Sequence, residues 1–316
     1  MERFYLEEPS IKRKDDVYMR DNILKCLGVF PEKVELNIKE IETIDKTTYI
    51  QKLIEYNVEK NERVKSYLLI PKNINKAPAI LAVHQHHGNW DIGKSEVIGL
   101  TSDTMYSYGV DLVQRGYVVI APDIICFEDR KGKDKFNIDR DSKAMYERFK
   151  FCDYLVHGTT LQTKTLHDLS VAVDVLCELE CVDKNRIGVI GHSLGGQEAI
   201  LMEWFDKRIK VAASSCGLSM MQDIIDNVVM HSFYLYIPNM LKYCDFDEII
   251  SEITIDRKLI MSSGLKDERH CPLSGIDKIE QMNKNDNFKS IRFDGDHRFG
   301  NNEKKIIYDY IDEVLK

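Results

Sequence analysis

A serine, an aspartate and a histidine stand where a nucleophile, the orienter of its base and the base itself would be needed. Ser193 lies in Gly191-His192-Ser193-Leu194-Gly195, followed by Gly196. This is the G-x-S-x-G nucleophile-elbow pattern, which requires a strand before it and a helix after it. Residues 186–190 supply a β-branched run on one side, and 197–204 a helical stretch on the other. A serine at so sharp a turn is held in a strained backbone conformation that points its hydroxyl off the sheet edge. The residues two before and two after it must lack side chains, or strand and helix collide. The helix N-terminus then offers free N–H groups and a positive dipole end beside the hydroxyl. A developing oxyanion would be stabilised there first by the N–H of Leu194. The competing reading is a glycine-rich turn with an incidental serine.

A serine hydroxyl is a weak nucleophile until a base takes its proton. The base is a histidine held by a carboxylate. With this elbow the partners follow in the order serine, acid, histidine, each just past the C-terminal end of a strand. Asp267 meets the condition after a strand at 259–263, and His297 after one at 291–293. Glu268 is the rival acid. His270 is the weaker base candidate, being close to Asp267 in sequence, and Asp294 and Asp296 read as turn formers. The chemistry predicted is acyl transfer to water through an acyl-enzyme on Ser193.

The continuous apolar run at 78–84 reads as a strand buried on both faces. The loop after it, Gln85-His86-His87-Gly88-Asn89-Trp90, is where this motif places the second oxyanion donor. The backbone N–H of Gln85 is the first candidate and that of His86 the next. His86, His87, Trp90, His192, Phe233 and Tyr236 are candidate pocket residues, with packing as the competing role for His192. His84, His86 and His87 also raise a metal-dependent hydrolase. Against it, they lack a nearby carboxylate or cysteine, and adjacent loop residues seldom converge on one ion. No metal is expected.

Strands at 48–59, 63–70, 78–84, 116–121, 186–190, 211–215, 258–263 and 290–293 are interleaved with helices at 102–114, 164–180, 197–204 and 306–315. That alternation predicts an α/β fold: a mostly parallel twisted sheet with helices on both faces. The helix at 164–180 is expected to be amphipathic, with Leu166, Leu169, Val173 and Leu176 on one side. Residues 130–135 read as a solvated loop. Residues 217–254 are apolar and aromatic without strand rhythm. They are expected either as a helical insertion over the catalytic edge, a cap or pocket wall, or as a core helix pair. Residues 1–47 read as an N-terminal extension packed on the main domain, with a helix near 16–27, and 48–316 as one catalytic domain.

The 316 residues are 43% apolar, enough for a large core. Lys plus Arg is 44 against 52 for Asp plus Glu, a net charge of −8. With no basic cluster, nucleic acid is excluded as the expected partner. No run approaches the roughly 20 apolar residues of a membrane span, and residues 1–8 hold no apolar signal core. The expectation is a cytoplasmic enzyme acting on a small-molecule ester, with no membrane partner and with homo-oligomer formation left open. Eight scattered cysteines are expected as reduced thiols, including Cys177 and Cys181, which lie four apart.

Together these pieces resemble the dienelactone-hydrolase-like branch of the α/β-hydrolase superfamily, close to acetyl-xylan-esterase-type hydrolases. The resemblance rests on segments 83–88, 115–119, 121–123, 191–196, 264–267 and 296–299, and runs from Arg63 onward. It implies the α/β-hydrolase fold, hydrolysis of a carboxylic ester or lactone by Ser193, His297 and Asp267, and no cofactor. The enzyme that names the branch uses a cysteine nucleophile. Here that position is Ser193, so the branch name is no guide to the substrate. Other functions compete: a serine peptidase or acyltransferase on the same three residues, a non-catalytic binding protein of this fold, and the metal-dependent hydrolase.

Overall fold

The computed structural model describes residues 16–316; residues 1–15 of the expected extension lie outside the described residues. The chain opens with helix α1 (Asp16–Leu27) and strands β1 (Lys39–Asp45), β2 (Tyr49–Glu59) and β3 (Glu62–Pro71). There follow β4 (Ala77–Val83), α2 (Lys94–Val97), α3 (Tyr108–Gln114), β5 (Val118–Pro122), α4 (Arg140–Val156) and α5 (Leu161–Glu178). The centre is β6 (Val182–His192), α6 (Leu194–Phe205) and β7 (Ile209–Ser215). The chain closes with α7 (Met221–Asp226), α8 (Phe246–Ile253), β8 (Lys258–Gly264), α9 (Leu273–Met282), β9 (Phe288–Phe293) and α10 (Asn301–Leu315).

Among the described residues the strands form one nine-stranded sheet in the order β1-β2-β3-β5-β4-β6-β7-β8-β9. β1, β2 and β3 pair antiparallel, and β3 meets β5 antiparallel. Every later pair is parallel. β4 and β5 are buried along their whole length, which is why their sequences are unbroken apolar runs. One apolar cluster joins a sheet face to α1, α5, α6 and α8, and the other joins the opposite face to α3 and α10. Helices on both faces of a mostly parallel sheet are what the alternation of elements predicts.

Several local expectations change. Residues 39–45, read as part of the extension, pair with β2 and form the sheet's edge. The helix predicted over 102–114 breaks at Ser107. Thr104–Tyr106 make a single 3-10 turn, started by Asp103 accepting from the Met105 N–H at 2.9 Å. No sequence expectation covered α4, which begins at a reciprocal capping box between Asp139 and Ser142. Residues 217–254 divide between core and cavity lining. Phe246, Ile249, Ile250 and Ile253 of α8 are core, while 230–233 line a cavity.

The helix α5 has its predicted apolar side, Leu166, Leu169, Val173 and Leu176, in the core, but its polar side is covered as well, and 15 of its 18 residues are buried. The β2–β3 hairpin covers its polar side. The Lys164 ammonium binds Glu59, Glu62 at 2.8 Å and Asp168 at 3.0 Å. Arg130, expected in a solvated loop, joins the same network with its side chain only 6% exposed. Its guanidinium holds Glu62 at 2.5 Å and Asp168 at 2.6 Å. Removing one partner of a buried pair strands the other charge. Arg130→Ala is therefore expected to cost about 3–5 kcal/mol, read as a lower urea midpoint at unchanged slope. An unmoved midpoint would show that the network adds no net stability.

Lys94 provides a second anchor. Its ammonium is bound by Asp123 at 2.7 Å, Glu128 at 2.6 Å and Asp129 at 2.7 Å. Three donors meet three carboxylates, tying the start of α2 to the end of β5. Among the described residues no helix is long and apolar enough to cross a membrane, and all eight cysteines are free thiols.

Candidate active site

β6 runs into α6 through one residue. Ser193 stands between them at φ 55, ψ −120, a conformation few L residues adopt. Its surroundings over-determine it. A Cβ on Gly191 would lie 2.2 Å from the Gly195 carbonyl, and one on Gly195 would lie 2.0 Å from the Val83 carbonyl oxygen. The Ser193 N–H donates to the Ser215 carbonyl at 2.8 Å, and the Ser193 carbonyl accepts from Gln197 at 2.9 Å. Both obstacles to a side chain are backbone, so neither can swing away. Gly195→Ala is expected to cost about 3 kcal/mol or more through forced separation of α6 from β4, seen as a lower melting temperature. A variant that melts like the parent would mean the crossing opens freely.

Asp267 lies in the turn after β8 and His297 in the loop after β9. The Nδ1–H of His297 meets Asp267 Oδ2 at 2.6 Å. The second oxygen is also occupied, with His270 Nδ1 at 2.8 Å from Oδ1. Burial pushes the Asp267 carboxyl up, but the bonds from His270 and His297 outweigh it and hold the group below the usual carboxylate range. Glu268, the rival acid, points elsewhere and accepts from the Leu273 N–H at 3.2 Å. Among the described residues no hydrogen bond joins the Ser193 hydroxyl to the His297 ring, though both face one cavity. Catalytic contacts are often long without substrate and tighten in the complex.

The loop after β4 corrects one assignment. The Gln85 N–H donates to Glu96 Oε1 at 2.9 Å, and its side-chain amide donates to Oε2 at 3.2 Å. That amide is committed and is not available to an oxyanion. The His86 N–H is the next one along the loop. Burial raises Glu96 to about 7, partly offset by the two Gln85 bonds. His84 is fully buried. The Ile124 N–H donates to its Nε2 at 3.0 Å, so Nδ1 carries the proton and donates to the Gln85 carbonyl at 2.8 Å. Burial lowers it to about 4. With both nitrogens of His84 used, the three-histidine metal site finds no support in the geometry.

His86 turns the other way. Gly88 N–H donates to its Nδ1 at 3.1 Å, and its Nε2–H donates to Glu147 of α4 at 2.8 Å. Trp90 Nε1 donates to the same Glu147 oxygen at 2.6 Å. One carboxylate thus clamps two residues of the loop. Above the elbow lies a cavity of about 720 Å³, a size suited to small ligands. Ser193, Leu194 and His297 form its floor, the loop after β4 one wall, α4 another, and Tyr106, residues 230–233 and His270 the rest.

Residues 64–237 match the family model of the Dienelactone hydrolase family, more than half of the chain. The chain belongs to the dienelactone hydrolase family. It is 30% identical over 270 residues to YtaP of Bacillus subtilis (strain 168), a protein to which a hydrolase activity is ascribed. That match spans 83% of this chain and 84% of the relative. Among solved structures, acetyl xylan esterase 1 from Thermoanaerobacterium sp. JW/SL YS485 superposes with a TM-score of 0.61 at 14% identity, covering 94% of this chain and 98% of that one. A glucuronoyl esterase from Solibacter usitatus gives 0.66 at 15%, covering 94% and 92%. At such identities the likeness is one of fold, and the fold is that of the α/β-hydrolases.

In this dienelactone hydrolase family member the cavity brings together Gln85, His86, His87, Trp90, Ser193, Leu194, Phe233 and His297 from the predicted set. Asp267 stands behind His297. Two predicted pocket residues fall outside. His192 is fully buried beneath His297, with ring centroids 4.9 Å apart, and its Nδ1 bonds the Ser215 hydroxyl at 3.0 Å. It is a packing residue because the elbow turns its side chain away from that of Ser193. Tyr236 instead accepts from the His231 N–H at 3.2 Å, holding a wall residue from behind. Sequence reasoning missed Tyr106, His231 and the α4 wall. The wall had a signal: Asp141, Ala144, Met145 and Arg148 share one face of a helix by spacing.

Proposed function

We propose that this family member hydrolyses carboxylic esters, lactones included, through an acyl-enzyme on Ser193. The observation that carries this reading is a convergence. A serine at a strained strand-to-helix turn and a histidine bonded to a buried carboxylate face the same cavity. The names of the solved neighbours, esterases of acetyl xylan and of glucuronoyl groups, favour an ester over other acyl bonds.

The Ser193 oxygen attacks the carbonyl carbon while His297 Nε2 takes its proton. Asp267, ionised and accepting from Nδ1–H, keeps the opposite nitrogen unprotonated and ready. The tetrahedral oxyanion receives the N–H groups of Leu194 and His86, two dipoles fixed before substrate arrives. Collapse breaks the ester C–O bond, and His297 gives its proton to the departing alkoxide. Water then attacks the acyl-serine with His297 again as base. The acid leaves, and Ser193 regains its proton.

The test is covalent labelling. An alkyl fluorophosphonate is expected to add one phosphonyl group per chain, on Ser193 by peptide mapping, and none to Ser193→Ala. A folded protein that takes no label would overturn the reading. Hydrolysis of aryl amides at rates rivalling matched esters would move the reading to a peptidase.

A further inference from the structure

Asp267 serves two imidazoles rather than one. Its Oδ2 is 2.6 Å from His297 Nδ1 and its Oδ1 is 2.8 Å from His270 Nδ1. The two rings lie nearly one over the other, 4.2 Å between centroids at 33°. Both line the cavity, His297 with 19% of its side chain exposed and His270 with 51%. An ionised carboxylate only accepts. Both Nδ1 atoms therefore carry hydrogen, and both Nε2 lone pairs are turned from the acid.

We propose that His270 is a positioning residue of this site, which fixes the Asp267 carboxylate for His297 and, through its own charge, sets the acid limit of activity. The inference rests on the reading of His297 as the base. Position follows from the geometry. With Oδ1 bonded to His270, the carboxylate cannot rotate about its Cβ–Cγ bond without breaking that contact. Oδ2 is thereby held on the His297 ring. Charge follows from sharing. A carboxylate that serves two imidazoles attracts a proton to either less strongly than one that serves a single ring. A proton on His270 also repels a second one on the neighbouring ring, 4.2 Å away between centroids.

The other groups facing this pair do not compete for that role. His231 faces it from the 230–233 wall, and burial holds it down at about 4. His192 faces it from below, and burial lowers it well below the usual histidine range. The Cys216 thiol sits beside Asp267 and His297, pushed up to about 12 by burial and by the Asp267 charge. Glu268 and Arg269 are exposed chain neighbours, and the Glu268 carboxylate is turned to the Leu273 N–H. Of the groups around the pair, His270 is the one bonded to the same carboxylate as His297, with its ring 4.2 Å from that of His297.

The experiment is the pH profile of kcat/KM for a p-nitrophenyl ester with wild type, His270→Ala and His270→Asn, and with His297→Ala and Ser193→Ala alongside. In His270→Ala the acid limb is expected to move about half a pH unit or more toward neutral, and kcat to fall roughly tenfold. Asparagine at 270 places an N–H donor near the old Nδ1 but carries no charge. It is expected to restore kcat while the limb stays displaced, a split that a merely structural role would not produce. If alanine proves poorly folded by circular dichroism, the displaced limb in the asparagine variant decides alone. A limb unmoved in the folded variants overturns the proposal and leaves the base assignment standing if His297→Ala and Ser193→Ala are inactive. Persistent activity in His297→Ala, with loss in His270→Ala, would make His270 the base and overturn both.

Discussion

Ser193→Ala is expected to lower kcat by about 10⁶ while KM changes little. The size follows from what remains. The variant keeps the Leu194 and His86 amides, the cavity and the His297–Asp267 pair, and so still binds an ester and polarises its carbonyl. It has no atom to carry the acyl group, and water would have to take the place of a fixed hydroxyl. Groups that act as one unit lose nearly everything when one is removed. The measurement is steady-state hydrolysis with active-site titration, so that trace wild-type contamination is bounded. A loss of less than about 10³ would place the nucleophile elsewhere.

Asp267→Asn is expected to lower kcat by about 10⁴. A carboxamide has one acceptor oxygen, yet two imidazole N–H groups point at this side chain, at 2.6 and 2.8 Å. Whichever ring meets the amide N–H₂ must turn over to its other tautomer. If that ring is His297, its lone pair then faces residue 267 and its proton faces the substrate. Kinetics give the magnitude, and ¹⁵N chemical shifts of the His297 ring give the tautomer. Activity within tenfold of wild type would mean that the carboxylate is not what orients the base. The two predictions are not additive: Ser193→Ala with Asp267→Asn is expected to be no slower than Ser193→Ala alone.

The parts of the site that were legible in the sequence are those fixed by local backbone. The glycines at 191 and 195 announce the elbow because their Cβ positions are filled by the Gly195 and Val83 backbones. Asp267 and His297 were legible because strand ends are punctuated by turns, and strand ends are where such groups gather. What stayed hidden depends on contacts between distant segments. Nothing near Gln85 shows that Glu96 will take its amide. Arg130 reads as surface until Glu62 and Asp168 are seen to close around it. The α4 wall was missed because Met145 and Phe149 are apolar yet exposed, which blurs the periodicity of a buried stripe. His270 reads from sequence only as the weaker base candidate, because it lies close to Asp267. A turn with the Asp267–His270 spacing is what lets both side chains reach one another.

β4 and β6 are neighbours in register, with Val83 opposite Gly191. The amides of 86 and 194 each follow one of these strand ends, and the Val83 carbonyl rests against α6 at Gly195. Their separation is thus written into the hydrogen-bond ladder of the sheet. The dipoles that would greet a negative oxygen are assembled once, when the chain folds, and need no rearrangement at each turnover. The opposite rim is built by α4 and residues 230–233, and α4 reaches back to the donor side through Glu147, which holds His86 and Trp90, so residues 230–233 are the part of that rim expected to tolerate change with the spacing kept.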